Sequence, residues 1–166
     1  MPQDAALGES VLVAETGLGR YQVAARTASG AFLVDEPVAV GGLGSGPTPY
    51  DLLSAALGSC TAITLRLYAD RKGWPLQRVQ VSVRHHRASL KARDRFDRTI
   101  LLEGPLDEEQ RARLLQIAEQ CPVHRTYERG SDVITTLSLS PGGPAPDEAD
   151  SEHMRDMEEL SAGAQT

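Results

Sequence analysis

Gly46-Pro47-Thr48-Pro49-Tyr50-Asp51-Leu52-Leu53-Ser54-Ala55-Ala56-Leu57-Gly58-Ser59-Cys60 sets the frame in which the rest of the chain falls into place. Leu53, Ala56, Leu57, Cys60, Ile63, Thr64 and Leu67 recur at helical spacing and predict one long helix from about Tyr50 to Lys72. Thr48 fits the N-cap and Pro49 the first helical position. Gly73 is the stop signal, with Pro75 just beyond it. At 1.5 Å per residue the helix is roughly 35 Å long, which predicts a central element. Ser54, Gly58 and Ala62 form a second stripe of small residues. Glycine inside a helix costs up to ~1 kcal/mol against alanine, so Gly58 predicts a close backbone approach.

Upstream of this helix, residues 10–14, 20–26 and 31–34 are β-rich and separated by Gly17, Gly19 and Ser29-Gly30, the pattern of a meander. Gly41 to Pro49 is too rich in Gly and Pro to be an element. Downstream, Arg78 to Arg84 alternates strictly and predicts a strand with one buried face. Phe96 to Leu102 is its partner, and the charged loop Lys91-Ala92-Arg93-Asp94-Arg95 between them reads as solvated. A second helix starts at Asp107, with Gln110 at capping-box spacing and Glu108 and Glu109 suited to a helix start. Leu114, Leu115, Ala118 and Cys121 read as its apolar face, and Pro122 ends it. One or two further turns run from Val123 to Arg129, closed by Gly130, and Asp132 to Leu139 reads as a last strand. The order βββ-α-ββ-α-(α)-β is that of an α+β domain over residues 1–140. From Pro141 to Thr166 a Pro- and Gly-rich stretch gives way to acidic and small residues, which predicts a mobile tail.

The net charge of −6 argues against a nucleic-acid surface, which needs a basic face. Residues 1–10 have no apolar run, so no signal peptide is expected. No stretch reads as the roughly 18 apolar residues that would span a bilayer. The expectation is a soluble, cytoplasmic protein with no membrane partner. Among 166 residues there are two cysteines, and in a reducing compartment a cysteine pair points to catalysis or sensing more than to structure.

Each cysteine has an ordinary reading. Cys60 on an apolar helix face is a small buried hydrophobe, and buried structural cysteines are inert. Cys121, at a helix end, also faces inward by periodicity. Two such residues on two core helices can meet, which opens a redox reading. Cys121-Pro122-Val123-His124 also has Cys-x-x-His spacing, but zinc needs further ligands, and adjacent strand residues such as His85 and His86 point to opposite faces. The loop at residues 41–46 has neither Gly-Lys-Ser/Thr nor Gly-x-Gly-x-x-Gly and is not a nucleotide site.

Three segments together resemble the OsmC/Ohr family of osmotically inducible and organic hydroperoxide resistance proteins. Gly46 to Cys60 is similar to the family's Pro-led helix ending in small residues and the reactive cysteine. Cys121-Pro122-Val123-His124 is similar to its second cysteine segment. Gly17-Leu18-Gly19-Arg20 is similar to the N-terminal turn that supplies an active-site arginine. The element order agrees over about residues 10–140. One position departs: Tyr50 stands where the best-characterised branch has a Glu, and the nearest carboxylate is Asp51. The segment from Asp35-Glu36-Pro37 to Asp51 looks like another branch, also found fused to hydrolase domains.

The resemblance implies an intertwined homodimer in which antiparallel sheets wrap around the long central helices, with the active site at the subunit interface. It implies a cysteine-based reductase of organic hydroperoxides. Cys60 would attack the O–O bond and become a sulfenic acid, and Cys121 would condense with it to a disulfide. Arg20, held by Asp51, would favour the Cys60 thiolate. Tyr50, Leu53 and Leu57 would line the substrate pocket. A lipoyl or thioredoxin-like dithiol would reduce the disulfide, and no metal, flavin or haem is required. The same cleft would also suit a redox sensor or small-ligand-binding dimer. A Cys–His hydrolase or transferase is a third reading, weakened by His124 lying next to Cys121 and not Cys60.

Overall fold

The structure, a computed structural model, describes residues 10–139 and 152–163. It divides into two compact units, Met1–Leu52 with Val133–Met154, and Leu53–Asp132 with Arg155–Thr166.

In the first unit β1 (Leu12–Glu15), β2 (Val23–Thr27) and β3 (Gly30–Val34) form an antiparallel sheet in sequence order, the meander expected. Asp35, 1% exposed, organises the Gly-rich loop that follows. Its carboxylate accepts hydrogen bonds from the Glu36 amide at 2.8 Å, Leu43 at 3.0 Å, Ser45 at 3.2 Å and the Ser45 hydroxyl at 2.7 Å. The Ser45 hydroxyl, then the backbone amides, hold the Asp35 carboxyl below its ordinary range against the opposing effect of burial. The loop is drawn so close to β3 that a Cβ at Gly46 would lie 2.2 Å from the Leu33 carbonyl oxygen, and one at Gly42 1.9 Å from that of Glu36. No other residue fits at either position.

The long helix α1 spans Pro49–Lys72. Thr48 caps it as expected: the Asp51 amide donates to Thr48 Oγ1 at 3.2 Å, and the Thr48 amide donates to Asp51 Oδ2 at 2.9 Å, a reciprocal capping box. Its buried stripe is Leu57, Cys60, Thr61, Thr64, Leu65, Tyr68 and Ala69. Two residues assigned to the core face by spacing, Leu53 and Ile63, are 41% and 46% exposed. The spacing fits either of two neighbouring stripes, and the packing selects the one through Leu65. By length and composition alone, α1 is also apolar enough to cross a bilayer, contrary to the expectation that no stretch would be. Its buried stripe, though, belongs to the core of the second unit.

That core is built by β4 (Arg78–His86) and β5 (Arg95–Glu103), an antiparallel pair, and by α2 (Glu108–Ala118). Both strands alternate, and their register sets Val79 opposite Leu102, Val81 opposite Ile100 and Val83 opposite Arg98 on the inner face. Leu65, Tyr68, Leu76, Leu114 and Ile117 close the main cluster. Gly58 brings α1 against β4, where an added Cβ would sit 3.5 Å from Val83 Cγ2, an ordinary contact that alanine tolerates.

The capping box of Asp107 and Gln110 at the start of α2 forms as expected. Its buried face, however, is Leu114, Ile117 and Ala118, and Leu115 is 57% exposed. Positions 114, 117, 118 and 121 follow the helical repeat, and 115 lies about 100° away from 114 at 3.6 residues per turn. Helix α3 covers Pro122–Arg129, closed by Gly130 with φ 76°.

Two further expectations fail in the described residues. Residues 131–139 pair with no strand, and Val133, Ile134, Leu137 and Leu139 are 84–96% exposed. The β-rich composition is there, but no described sheet edge receives it. In the segment read as a mobile tail, α4 forms over Glu152–Gly163, with Met157 fully buried. The tail's mean composition hides an amphipathic pair, Met157 and Ser161, one helical turn apart. Residues 140–151 of that segment lie outside the described residues.

Candidate active site

The second unit brings Cys60 and Cys121 together. Cys60 comes from the middle of α1. Cys121 follows α2 and is the N-cap of α3, where Pro122 at the first helical position fixes the entry of the chain. The exposures of the two residues are 2% and 0%, and both are free thiols. They share a small apolar cluster with Leu57, and Val83, Phe96, Val123 and Tyr127 pack around it. Phe96 lies between His85 and Tyr127, with 4.9 Å between centroids on both sides. Tyr127 donates to the Leu53 carbonyl at 2.7 Å, which ties α3 to α1 beside the sulfurs.

The start of α3 supplies the polar contacts. The Val123 amide donates to Cys60 Sγ and the His124 amide to Cys121 Sγ, each at 3.4 Å. These are donors that a helix start otherwise leaves unpaired, and they favour negative charge on sulfur. Arg98 completes the setting from β5, its side chain 8% exposed. Its Nη1 donates to Thr61 Oγ1 at 2.9 Å and lies 3.9 Å from Cys121 Sγ. Its Nη2 is 3.0 Å from Glu119 Oε1 and 3.2 Å from His124 Nδ1. His124 Nε2 is 3.1 Å from Glu128 Oε1.

The two thiols titrate as a pair. The hydrogen bond that Cys121 receives from Cys60 does most to hold Cys121 down, to about 6, helped by the His124 amide and Arg98 and opposed by burial. The same hydrogen bond, with burial, pushes Cys60 far up. The result is one proton and one negative charge shared between two sulfurs. For reduced protein, thiolate absorbance is expected to show a single step through about pH 6, one charge per pair at pH 7. Two protons leaving together near pH 9 would show that the sulfurs are uncoupled.

The other expected site residues fall in different places. Leu57 lies beside the pair, whereas Tyr50 and Leu53 are 42% and 41% exposed. A 270 Å³ recess lies next to α1 instead, lined by Ser54, Ala55, Gly58, Ser59, Val81 and Val83. It opens along the small-residue stripe. Arg20 and Asp51 belong to the first unit. There the Asp51 carboxylate caps α1, and its contacts with Thr48 hold its pKa below the usual range. Arg20 lies 5.1 Å over the Tyr21 ring, and among the described residues no ion pair joins it to Asp51. Arg98, Thr61 and Glu119 are absent from the expected set. Arg98 was detectable, because it is a charged residue in the apolar phase of a strand otherwise marked by Phe96, Ile100 and Leu102.

Comparison with known proteins bears on the family and the fold. Residues 42–136, more than half of the chain, match the family described as OsmC-like protein. No curated protein matches. Among solved structures, one from Psychrobacter arcticus, assigned provisionally to osmotic stress induction and detoxification response, is 23% identical over 72% of this chain and 88% of its own, with a TM-score of 0.62. An OsmC-like protein of Mycoplasma pneumoniae is 16% identical, covering 73% and 87%, with a TM-score of 0.63. An organic hydroperoxide resistance protein of Legionella pneumophila is 19% identical, covering 74% and 90%, with a TM-score of 0.54. At these identities the likeness is one of fold. The extent of the family match means that the chain belongs to the OsmC-like protein family.

Proposed function

We propose that the protein is a thiol peroxidase that reduces organic hydroperoxides through the Cys60–Cys121 pair. One observation carries this reading: two free, buried thiols, one from α1 and one from the N-cap of α3, lie in one small apolar cluster with a backbone amide at the start of α3 donating to each sulfur. A structural cysteine pair needs none of these donors.

The pair holds one proton. The proton rests mainly on Cys60; its passage to Cys121 leaves Cys60 as the thiolate, which attacks the distal peroxide oxygen. The O–O bond breaks, Cys60 becomes a sulfenic acid, and the alkoxide takes the Cys121 proton and leaves as the alcohol. Cys121, now a thiolate, attacks the sulfenic sulfur, forming the disulfide and releasing hydroxide. An external dithiol, lipoyl or thioredoxin-like, returns the disulfide to one thiol and one thiolate. The apolar surroundings of Leu57, Phe96 and Val123 favour an alkyl peroxide over hydrogen peroxide.

A homodimer in a reducing cytoplasm belongs to the same proposal, and sedimentation velocity tests the dimer. The family resemblance assigns Arg20 and Asp51 to the same reaction. Arg20→Ala is then expected to slow peroxide attack by tenfold or more, equal to ~1.4 kcal/mol, and Asp51→Asn by less. Stopped-flow consumption of peroxide checks both; an unchanged rate in Arg20→Ala leaves this arginine a surface residue. The principal assay is turnover with cumene hydroperoxide and dihydrolipoamide. A protein that forms the disulfide once but does not turn over would be a sensor and not an enzyme.

A further inference from the structure

Arg98 is the one guanidinium described beside the sulfurs, and its hydrogen bonds make the two cysteines unequal. It lies 3.9 Å from Cys121 Sγ and makes no described contact with Cys60 Sγ. Both of its Nη atoms donate within this cluster. Thr61 gives its single hydroxyl proton to the Leu57 carbonyl at 2.7 Å, so its oxygen accepts from Arg98 Nη1. His124 Nδ1 accepts from Arg98 Nη2, which leaves the His124 proton on Nε2, facing Glu128. In this arrangement His124 braces the guanidinium through Nδ1. The charged groups around Cys121 are then few: Arg98 from β5, Glu119 from the end of α2, and Glu128 beyond His124. Both carboxylates are more than 60% exposed, and water screens them, whereas Arg98 is enclosed.

We propose that Arg98 fixes the direction in which the cysteine pair is opened: it makes Cys121 the sulfur expelled as thiolate when an external thiol attacks, so the mixed disulfide forms on Cys60. This rests on the reading of the pair as redox-active. The attacking thiolate forms a new S–S bond to Cys60 Sγ. The Cys60–Cys121 bond breaks, and its electron pair leaves on Cys121, where Arg98 and the His124 amide receive the charge. A better-stabilised leaving thiolate departs faster. The second thiol of the reductant then attacks its own sulfur in the mixed disulfide and releases Cys60, which regains the shared proton. The assignment differs from the arginine that the family resemblance suggested. Arg20 was expected to act on the attacking sulfur, whereas Arg98 acts on the resolving one.

Two measurements test this, and neither uses a peroxide, so their failure is separate from failure of the peroxidase reading. In the first, wild-type protein is oxidised with diamide and treated briefly with glutathione. It is then quenched in acid, capped with N-ethylmaleimide and mapped by peptide mass. Glutathione on Cys60 and maleimide on Cys121, in at least tenfold excess over the reverse, is expected; glutathione mainly on Cys121 overturns the proposal. In the second, the pH dependence of Cys121 alkylation is followed in Cys60→Ser and in Cys60→Ser with Arg98→Gln. The midpoint is expected to rise by one pH unit or more, and Arg98→Lys to recover part of it. An unchanged midpoint in a folded Arg98→Gln protein overturns the proposal. If that variant does not fold, the wild-type mapping decides alone.

Discussion

Cys60→Ser is expected to reduce hydroperoxide consumption to background, a loss of at least ~100-fold, or about 2.7 kcal/mol of barrier. A serine hydroxyl in the same place is not ionised at neutral pH and cannot attack a peroxide oxygen at a useful rate. Cys121→Ser is expected to behave differently. Cys60 still attacks once, but no thiol stands next to the sulfenic acid, so one equivalent of peroxide is consumed and turnover stops. Dimedone should then label Cys60. The difference between the variants matters more than either loss, because both sulfurs are buried and both accept an amide from the same helix start. If Cys121→Ser abolished the first turnover and Cys60→Ser kept it, the roles would be reversed. If both variants consumed peroxide at the wild-type rate, the pair would not be the redox centre.

Leu114→Ala should produce the largest loss of stability, ~2–5 kcal/mol. Leu114 is fully buried and packs in the cluster with Leu65 and Ile117, so removing its isobutyl group leaves a cavity. The position also bears on the site. Leu114, Ile117 and Ala118 anchor the last two turns of α2, and Cys121 follows immediately, with its amide donating to the Ala118 carbonyl at 3.4 Å. Loosening α2 therefore loosens Cys121. Urea unfolding gives the first effect, and the rate of disulfide closure after a single peroxide addition gives the second. A loss below ~1 kcal/mol would mean that the site collapses around alanine and that the core depends little on α2.

Much of this was legible in the residues. Thr48, Asp107 and Gly130 are local signals, and each cap formed where its chemistry put it. The strict alternation of residues 78–84 carried β4 because a strand with one buried face cannot slip by one residue without exposing it. What spacing could not choose was between two neighbouring stripes of α1, since Leu53 and Ile63 are as apolar as Leu57 and Leu65. That choice depends on which strand face lies across from the helix. The site shows the same division. Cys60 and Cys121 were visible as a possible pair. Asp51 also has a purely local role at the helix start, and the Arg98 contact joins β5 to the start of α3 across 23 residues of chain. A side chain reaching between elements leaves no periodic trace, only the oddity of a charge in an apolar phase. Met157 stayed hidden for a related reason: one buried residue in an acidic stretch does not change its average.

Because the first amides of α3 donate to the two sulfurs, the helix and the redox couple cannot be changed separately. A thiolate accepts a hydrogen bond well, and a disulfide sulfur accepts it poorly. On oxidation, the amides of Val123 and His124 lose their charged acceptor and the first turn of α3 is left with weaker closure. The backbone there should breathe more freely. Amide hydrogen exchange at Val123 and His124 should therefore run faster in the oxidised protein than in the reduced one, while exchange in the middle of α1 is unchanged. Fraying at the start of α3 would then report the oxidation state of the two sulfurs.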